Sequence, residues 1–169
     1  MFIRKAKLAD IPEILKLIES VVPAMRASGN FQWDSSYPNK QVFERDISLS
    51  QLWVAETELA IAGVIAITTD QSPEYADVGW DISEAAIVTH RLAVDLQHQG
   101  MGIAKEMLME AEQEAIRRNI KVLRIDTNVN NTTTRQLFPK LGYTYAGEIS
   151  LAFRPNLRFC CYEKRLVEL

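Results

Sequence analysis

Residues 92–104 read Leu-Ala-Val-Asp-Leu-Gln-His-Gln-Gly-Met-Gly-Ile-Ala, and the organisation of the chain follows from this stretch. Its first residues end an apolar run over 86–94, which predicts a β-strand, and a helical pattern over 103–119 follows. Gly100 and Gly102 stand between them, two residues apart. The first N–H groups of a helix have no acceptor within it, and the helix dipole places partial positive charge there. The order strand, glycine turn, helix therefore predicts a phosphate or pyrophosphate site, which glycines without a Cβ let the ligand approach.

Several glycine motifs share this order. A dinucleotide fingerprint requires G-x-G-x-x-G, but the third glycine is missing because residues 103–105 are Ile, Ala and Lys. A P-loop requires Gly-Lys followed by Ser or Thr, which is also missing. The pattern Q/R-x-x-G-x-G/A is satisfied by Gln99, Gly102 and Ala104. An ordinary β-to-α turn without a ligand stays open on this pattern alone.

Periodicity along the rest of the chain predicts an α/β domain. Asp10 is predicted to cap the first helix, with Glu13 as its capping-box partner. Residues 78–83 either extend the sheet or form a loop, and Pro155-Asn156 is predicted to lie in the last turn. The strands are predicted at 2–5, 52–56, 60–69, 86–94, 122–128, 143–151 and 158–165, and the further helices at 41–50, 103–119 and 131–142.

The predicted strand 122–128 has one polar face. Leu123 and Ile125 alternate with Arg124, Asp126 and Asn128. Because polar groups inside a sheet need partners, this face should meet water, a ligand or other polar groups.

Composition narrows the class of protein. The 169 residues suit one domain, and the net charge of −3 without a basic stripe argues against a nucleic-acid partner. The sequence has neither an apolar stretch of about 18 residues nor a signal peptide, so we expect no membrane association. The adjacent Cys160 and Cys161 indicate reduced thiols and a cytoplasmic location.

Residues 131–143 read Asn-Thr-Thr-Thr-Arg-Gln-Leu-Phe-Pro-Lys-Leu-Gly-Tyr. Together with the glycine turn, they resemble the signatures of the GCN5-related N-acetyltransferase (GNAT) family, the second of which is N-x-x-A-x-x-L-Y-x-K-x-G-F. The resemblance covers nearly the whole chain and implies a single N-acetyltransferase domain over 1–169. Its fold would be a mixed, mostly antiparallel sheet of about seven strands with helices on both faces. Four positions match and three differ: Asn131, Leu137, Lys140 and Gly142 match, whereas Thr134 replaces Ala, Phe138 replaces Tyr and Tyr143 replaces Phe.

The resemblance also implies a cosubstrate and its contacts. Acetyl-CoA would be held at its pyrophosphate by the turn and at its pantetheine arm by the fourth strand. The fourth and fifth strands would splay apart to admit it, and a backbone N–H near Val94 would polarise the acetyl carbonyl. Asn131 would contact the CoA arm or cap the fourth helix. The implied contact residues are Leu92, Ala93 and Val94 on the strand and Gln99, Gly100, Met101, Gly102, Ile103 and Ala104 in the turn.

Direct acetyl transfer needs a base for the amine. His90 is a candidate, on the same side of the fourth strand as Leu92 and Val94 by period-two counting, and its alternative is a histidine hydrogen-bonded within the sheet. Asp126 is a second candidate, unless it pairs with Arg124 or Arg91. Asp34 and Glu148 stay open as well, and His98, in the glycine turn, either reaches a phosphate or is exposed.

A general acid would protonate the thiolate that leaves, but Phe138, at the position where the signature has tyrosine, cannot donate a proton. Either the thiolate leaves unassisted, or Tyr143, Tyr145 or Tyr162 substitutes.

The acceptor site is predicted from aromatic residues. Phe31, Trp33 and Tyr37 lie in a turn-rich segment, 27–40, which either lines a pocket or closes over its own core. Trp80 likewise belongs to a pocket or to the core. The expected acceptor is a primary amine of a small molecule or peptide, and the resemblance also allows a homodimer. The alternatives are a non-catalytic acyl-CoA-binding or sensing domain, motivated by Phe138, and a nucleotide-binding domain of Rossmann type.

Overall fold

The computed structural model describes residues 1–167, which form one seven-stranded sheet with the order β1-β2-β3-β4-β5-β7-β6. All neighbouring strands run antiparallel except β4 and β5, so the predicted mixed, mostly antiparallel sheet is confirmed. The strands are β1 (Phe2–Lys5), β2 (Leu52–Glu56), β3 (Ile61–Thr68), β4 (Ile87–Val94), β5 (Val122–Asn128), β6 (Thr144–Leu151) and β7 (Arg154–Arg165). The helices are α1 (Ile11–Ala27), α2 (Lys40–Ser48), α3 (Ile103–Arg117) and α4 (Thr132–Lys140).

Helices cover both faces of the sheet, as predicted. Apolar residues of α1 and α2 pack with Val54, Val64 and Ala66 on one face. Residues of α3 and α4 pack on the other face with inward residues of β3, β4 and β5. A Cβ on Gly63 of β3 would lie 2.7 Å from Met107 Cε, so this glycine lets α3 approach the sheet closely. None of the helices among residues 1–167 is long and apolar enough to span a membrane.

A β-bulge interrupts β4. His90 lies opposite Ala66 and Ala93 lies opposite Val64, so Arg91 and Leu92 together face a single residue of β3. Arg91 takes up the extra length with a left-handed backbone, φ 53°, a conformation that costs energy in a non-glycine residue and is enriched at functional sites.

The bulge changes which face His90 occupies. Directly opposed residues share a face, and Ala66 belongs to the core beneath α1 and α2. Leu92 and Val94 pack instead against the core beneath α3. The prediction that these three residues share a side is therefore wrong, because one inserted residue reverses the alternation.

The sheet opens next to this bulge. Within residues 1–167, β4 and β5 pair only at Ile87 with Leu123 and at Val88 with Arg124. Beyond these pairs β5 continues its ladder with β7 alone, and a gap develops between β4 and β5. The predicted splay of these two strands is present.

Several local predictions were wrong. Asp10 occupies the N-cap position of α1, as predicted, but its side chain makes no capping hydrogen bond, because its carboxylate accepts from Arg4 at 2.8 and 2.9 Å and from the Lys7 N–H at 2.7 Å. Glu13 accepts from the Ile61 N–H at 3.2 Å instead of closing a capping box. For residues 78–83 the loop alternative is the one observed, because a 3-10 helix over Pro73–Val78 is followed by turns and no strand. The prediction of a turn at Pro155-Asn156 is wrong, because β7 begins at Arg154 and includes both residues.

Candidate active site

The glycine turn forms an open cradle of N–H groups. Gly102 is the N-cap of α3, and both it and Gly100 have a left-handed φ of 79°. A Cβ on either glycine would meet no atom within 4 Å. Within residues 1–167, no protein acceptor hydrogen-bonds the N–H groups of Gly102, Ile103 and Ala104. These free donors and the space before them suit an anion at the start of α3.

The other predicted cofactor residues surround this cradle. Met101 is exposed, whereas Ile103, the first residue of α3, is buried against the sheet. Gln99 is exposed with its side-chain amide 3.5 Å from the Val94 carbonyl, and His98 is held by Asp95 at 2.8 Å. Leu92 and Val94 are half-buried at the β4 edge, and Ala93 is buried on the opposite face.

A cleft of about 240 Å³ lies where β4 and β5 separate. His90 and Asp126 both line it, and the register places them on the same face of the sheet. Asn131 also lines the cleft while it caps α4, because its side-chain oxygen accepts from the Thr134 N–H at 3.3 Å. Both predicted roles of Asn131 are therefore compatible with its position.

His90 and Asp126 form a polar cluster with Tyr75. The Tyr75 hydroxyl donates to Asp126 Oδ2 at 2.6 Å, and His90 Nε2 lies 3.3 Å from the Asp70 carbonyl oxygen. Because a carbonyl only accepts, this contact places the proton of a neutral ring on Nε2 and leaves Nδ1 as its basic nitrogen.

Burial and charge set the protonation of this cluster. Burial lowers the pKa of His90, and the negative charge of Asp126 opposes that effect. Burial also raises the pKa of Asp126, against the His90 charge and the Tyr75 hydrogen bond. A neutral imidazole beside a carboxylate can accept a proton and then be stabilised as imidazolium.

Asp126 is not paired with either arginine that the sequence offered. Arg91 donates to Asp46 through Nε at 2.6 Å and Nη2 at 2.7 Å. Arg124 is buried and bonds Glu163 at 2.9 Å, with further contacts to Gln71 and the Asp81 carbonyl. Both arginines therefore pair with other carboxylates, and neither of the ion pairs considered for Asp126 forms.

Two of the four predicted acceptor residues line the cleft. Trp33 is buried and Tyr37 half-buried at its wall. Phe31 lies outside the cleft, half-exposed, with its ring 4.9 Å from the Arg26 guanidinium. Trp80 also lies outside, because it covers Arg124 at 5.0 Å and packs edge-on against Tyr75 at 5.1 Å.

The candidate acids do not gather at the cleft. Phe138 is buried and lines it, as expected of the position that replaces tyrosine. Tyr143 is buried outside the cleft, where desolvation raises its pKa, and its hydroxyl has no partner among residues 1–167. Tyr162 is buried behind Phe138, with ring centroids 5.3 Å apart, and Tyr145 is half-exposed.

The remaining carboxylates lie away from the cleft. Glu148 is exposed beside Arg158, 3.6 Å away, and Asp34 is bound by Arg154 at 3.0 Å and by Ser36.

Sequence reasoning missed three features of the site. Tyr75 was not singled out, and nothing in the local sequence marks its contact with Asp126. Thr89 lines the cleft with a buried hydroxyl that has no partner among residues 1–167. Phe153, in the turn between β6 and β7, lines the cleft with its ring 5.7 Å from that of Tyr37. An aromatic residue in a predicted hairpin turn was the one available signal.

Comparison with known proteins decides the family. The sequence model of the acetyltransferase (GNAT) family matches residues 17–143. The chain belongs to the GNAT family. GNAT enzymes are N-acetyltransferases, so the chain is an acyltransferase with acetyl-CoA as its acetyl donor. No curated protein matches it at a significant level.

Solved structures share the GNAT fold along the whole chain. A candidate acetyltransferase from Staphylococcus aureus Mu50 is 28% identical with a TM-score of 0.75, covering 99% of this chain and 100% of that one. A GNAT-family acetyltransferase from Streptococcus agalactiae 2603 is 25% identical with a TM-score of 0.84, covering 99% and 96%. A candidate acetyltransferase from Salmonella typhimurium, solved with its cofactor acetyl-CoA, is 19% identical with a TM-score of 0.72, covering 100% and 95%. At that identity the likeness concerns the fold.

Proposed function

We propose that this GNAT enzyme transfers the acetyl group directly to a primary amine of a small molecule or peptide, with His90 as the base. The observation that carries the proposal is that His90 and Asp126 line the cleft where β4 and β5 separate, with the buried Tyr75 hydroxyl bonded to Asp126. A neutral histidine that faces an open cleft is suited to take the proton of an attacking amine.

The residues at the cradle fit acetyl-CoA. Open space in front of Gly100 and Gly102 and the free N–H groups of Gly102, Ile103 and Ala104 suit a pyrophosphate. The edge of β4 that β5 leaves unpaired offers backbone groups at Leu92, Ala93 and Val94 to the pantetheine arm. Asn131 stands across the gap on α4. When bound there, acetyl-CoA supplies the acetyl group as a thioester.

Side chains of the enzyme then accept the proton that the amine loses. His90 accepts it from the amine at Nδ1, the nitrogen that Asp70 leaves free. Asp126 stabilises the resulting imidazolium, and Tyr75 holds the carboxylate in place. Phe138 carries no exchangeable proton, so no acid is assigned at that position.

The substitution His90→Gln tests the base. We expect kcat/KM for an accepted amine to fall about 10²- to 10⁴-fold, with acetyl-CoA affinity and melting temperature unchanged. Glu44→Gln is the control that also removes one titratable group, since the Glu44 side chain lies on α2 outside the cleft and is 43% exposed next to Lys40. Activity close to wild type in His90→Gln would refute the assignment of the base.

A screen of amines for CoA release tests the function itself. Turnover on at least one amine is expected. Calorimetric binding of acetyl-CoA without turnover on any amine would support the alternative, an acyl-CoA sensor.

We also infer a cytoplasmic location. The supporting observation is that Cys160 and Cys161 are buried free thiols rather than disulfide partners, as is usual in a reducing compartment.

A further inference from the structure

In the described part of the chain, Asp126 lines the cleft without a cationic partner. Arg91, His90 and Asp126 are the cleft-lining side chains of residues 1–167 that can carry a charge near neutral pH, and burial disfavours the charged forms of both His90 and Asp126. The guanidinium of Arg91 is compensated by Asp46, which is 2% exposed and bound in bidentate geometry. Among residues 1–167, the neutral Tyr75 hydroxyl is the one side-chain donor bonded to Asp126, and only a protonated His90 would offset its negative charge. The cleft therefore favours a cation and disfavours a second carboxylate.

The acceptor side of the cleft is apolar and aromatic. Trp33, Tyr37 and Phe153 form its wall together with Met25 and Leu151. Aromatic faces attract cations and pack against flat apolar groups. A cationic amine with an apolar body would satisfy both the wall and Asp126.

A strap closes this side of the cleft. We use the name aromatic strap for residues 31–37, which connect the end of α1 to the cleft wall. Arg154, at the start of β7, binds the strap through Nε to the Gln32 carbonyl at 3.1 Å and through Nη2 to Asp34 at 3.0 Å. Its guanidinium also lies 6.0 Å from the Tyr37 ring.

The strap restricts the size of the acceptor. Arg154 fixes the strap against the start of β7, and strap residues line one wall of the cleft. An extended peptide requires an open groove along its length, which a fixed strap at this wall opposes. The cleft volume of about 240 Å³ is also below the range of about 300–1,000 Å³ that is typical of drug-sized ligands.

From these observations we propose that the acceptor is a small cationic amine with a flat apolar body and no carboxylate, bound under the aromatic strap between Trp33, Tyr37, Phe153 and Asp126. This inference rests on the proposed function and specifies its substrate class. The amine enters as the ammonium ion and loses one proton to His90, and its lone pair then forms the new C–N bond as the C–S bond of the thioester breaks. The second proton leaves the nitrogen and neutralises the departing CoA thiolate, so that an amide and the CoA thiol are formed, and His90 returns its proton to water.

Matched amines test the class with the full chain and acetyl-CoA. Tyramine, tyrosine amide and tyrosine share one ring and differ in charge at the α-carbon. We expect kcat/KM for tyramine and tyrosine amide to exceed that for tyrosine at least about tenfold, since the added carboxylate faces Asp126. Ethanolamine, which lacks the ring, and an octapeptide with one lysine should both fall at least about tenfold below tyramine.

A strap variant tests the size limit. Arg154→Gln removes the ties to Gln32 and Asp34 and should raise the peptide-to-tyramine ratio of kcat/KM about fivefold or more. The matched control is Arg158→Gln, further along β7 and exposed next to Glu148, which should leave the ratio unchanged. Melting temperatures of both variants verify that each is folded.

The outcomes separate the two proposals. Equal turnover of tyrosine and tyramine, or a wild-type preference for the peptide, would overturn the substrate class while the acetyltransfer stands. Absence of turnover on every amine, with acetyl-CoA still bound, would overturn the proposed function and the substrate class with it.

Discussion

The hydroxyl of Tyr75 offers a way to tell which group of the buried cluster is the base. Tyr75→Phe removes one O–H and keeps the ring against Trp80. The lost hydrogen bond, 2.6 Å long, is made to the carboxyl of Asp126. Hydrogen bonds to charged groups contribute about 1.5–3 kcal/mol, and about 1.4 kcal/mol corresponds to one pKa unit. The pKa of Asp126, already raised by burial, should therefore rise further by roughly 1–2 units.

This change has a defined sign in the pH profile. Ionised Asp126 raises the pKa of His90, so weaker ionisation of Asp126 lowers it. Since activity requires neutral His90, the acidic limb of kcat/KM should move to lower pH in Tyr75→Phe. The plateau should fall by less than about tenfold, because a weakened base is still present.

Steady-state kinetics between about pH 5 and pH 9 would measure the shift. Tyr145→Phe is the matched control, since Tyr145 is 50% exposed and does not line the cleft. A limb that moves to higher pH would refute the reasoning, because it would follow the raised pKa of Asp126 and identify that carboxylate as the base. An unchanged limb would mean that neither group governs the profile.

Three further predictions follow from the fold. Gly102→Ala and its control Gly79→Ala each place a Cβ at a similar left-handed φ with open space around it. Each substitution should therefore lower the free energy of unfolding by about 1–2 kcal/mol. Calorimetry should show at least tenfold weaker binding of acetyl-CoA for Gly102→Ala and unchanged binding for Gly79→Ala. Arg4 lowers the pKa of Asp10 in the folded protein. Their ion pair therefore stabilises the fold above the unfolded pKa of Asp near 3.9, and this contribution is lost as the pH falls through the lower folded pKa. Asp10→Asn should lower the free energy of unfolding in urea by about 1–2 kcal/mol at neutral pH and by little at low pH. Burial raises the pKa of Cys160 and Cys161, so Ellman's reagent should label neither until the protein unfolds, and immediate labelling would contradict their burial.

Sequence patterns were sufficient where backbone conformation is encoded locally. The two glycines of the turn appear with left-handed φ, as their spacing after an apolar strand indicates. The polar face of β5 was readable from alternation, and its residues do meet polar partners, such as Glu163 for Arg124 and Tyr75 for Asp126.

The failures arise where a distant contact or an unmarked bulge decides the outcome. A left-handed backbone is usually indicated in a sequence by glycine, but here the left-handed residue is Arg91. The bulge was therefore not predicted, and period-two counting placed His90 on the wrong face of the sheet. The Tyr75–Asp126 bond joins residues 51 positions apart. Asp10 has the sequence pattern of a helix cap, but its carboxylate bonds the Arg4 guanidinium instead of a backbone N–H of α1. No local sequence rule predicts which of these two hydrogen bonds forms.

The bulge at Arg91 separates two tasks along a single strand. Before it, His90 turns toward the layer of α1 and α2; after it, Leu92 and Val94 turn toward α3. Under the proposed roles, the proton of the acceptor amine and the pantetheine arm are handled from opposite sides of the sheet. An engineer who wishes to change what this scaffold modifies can vary positions 33, 37 and 153 and leave the loop at 99–104 as it is.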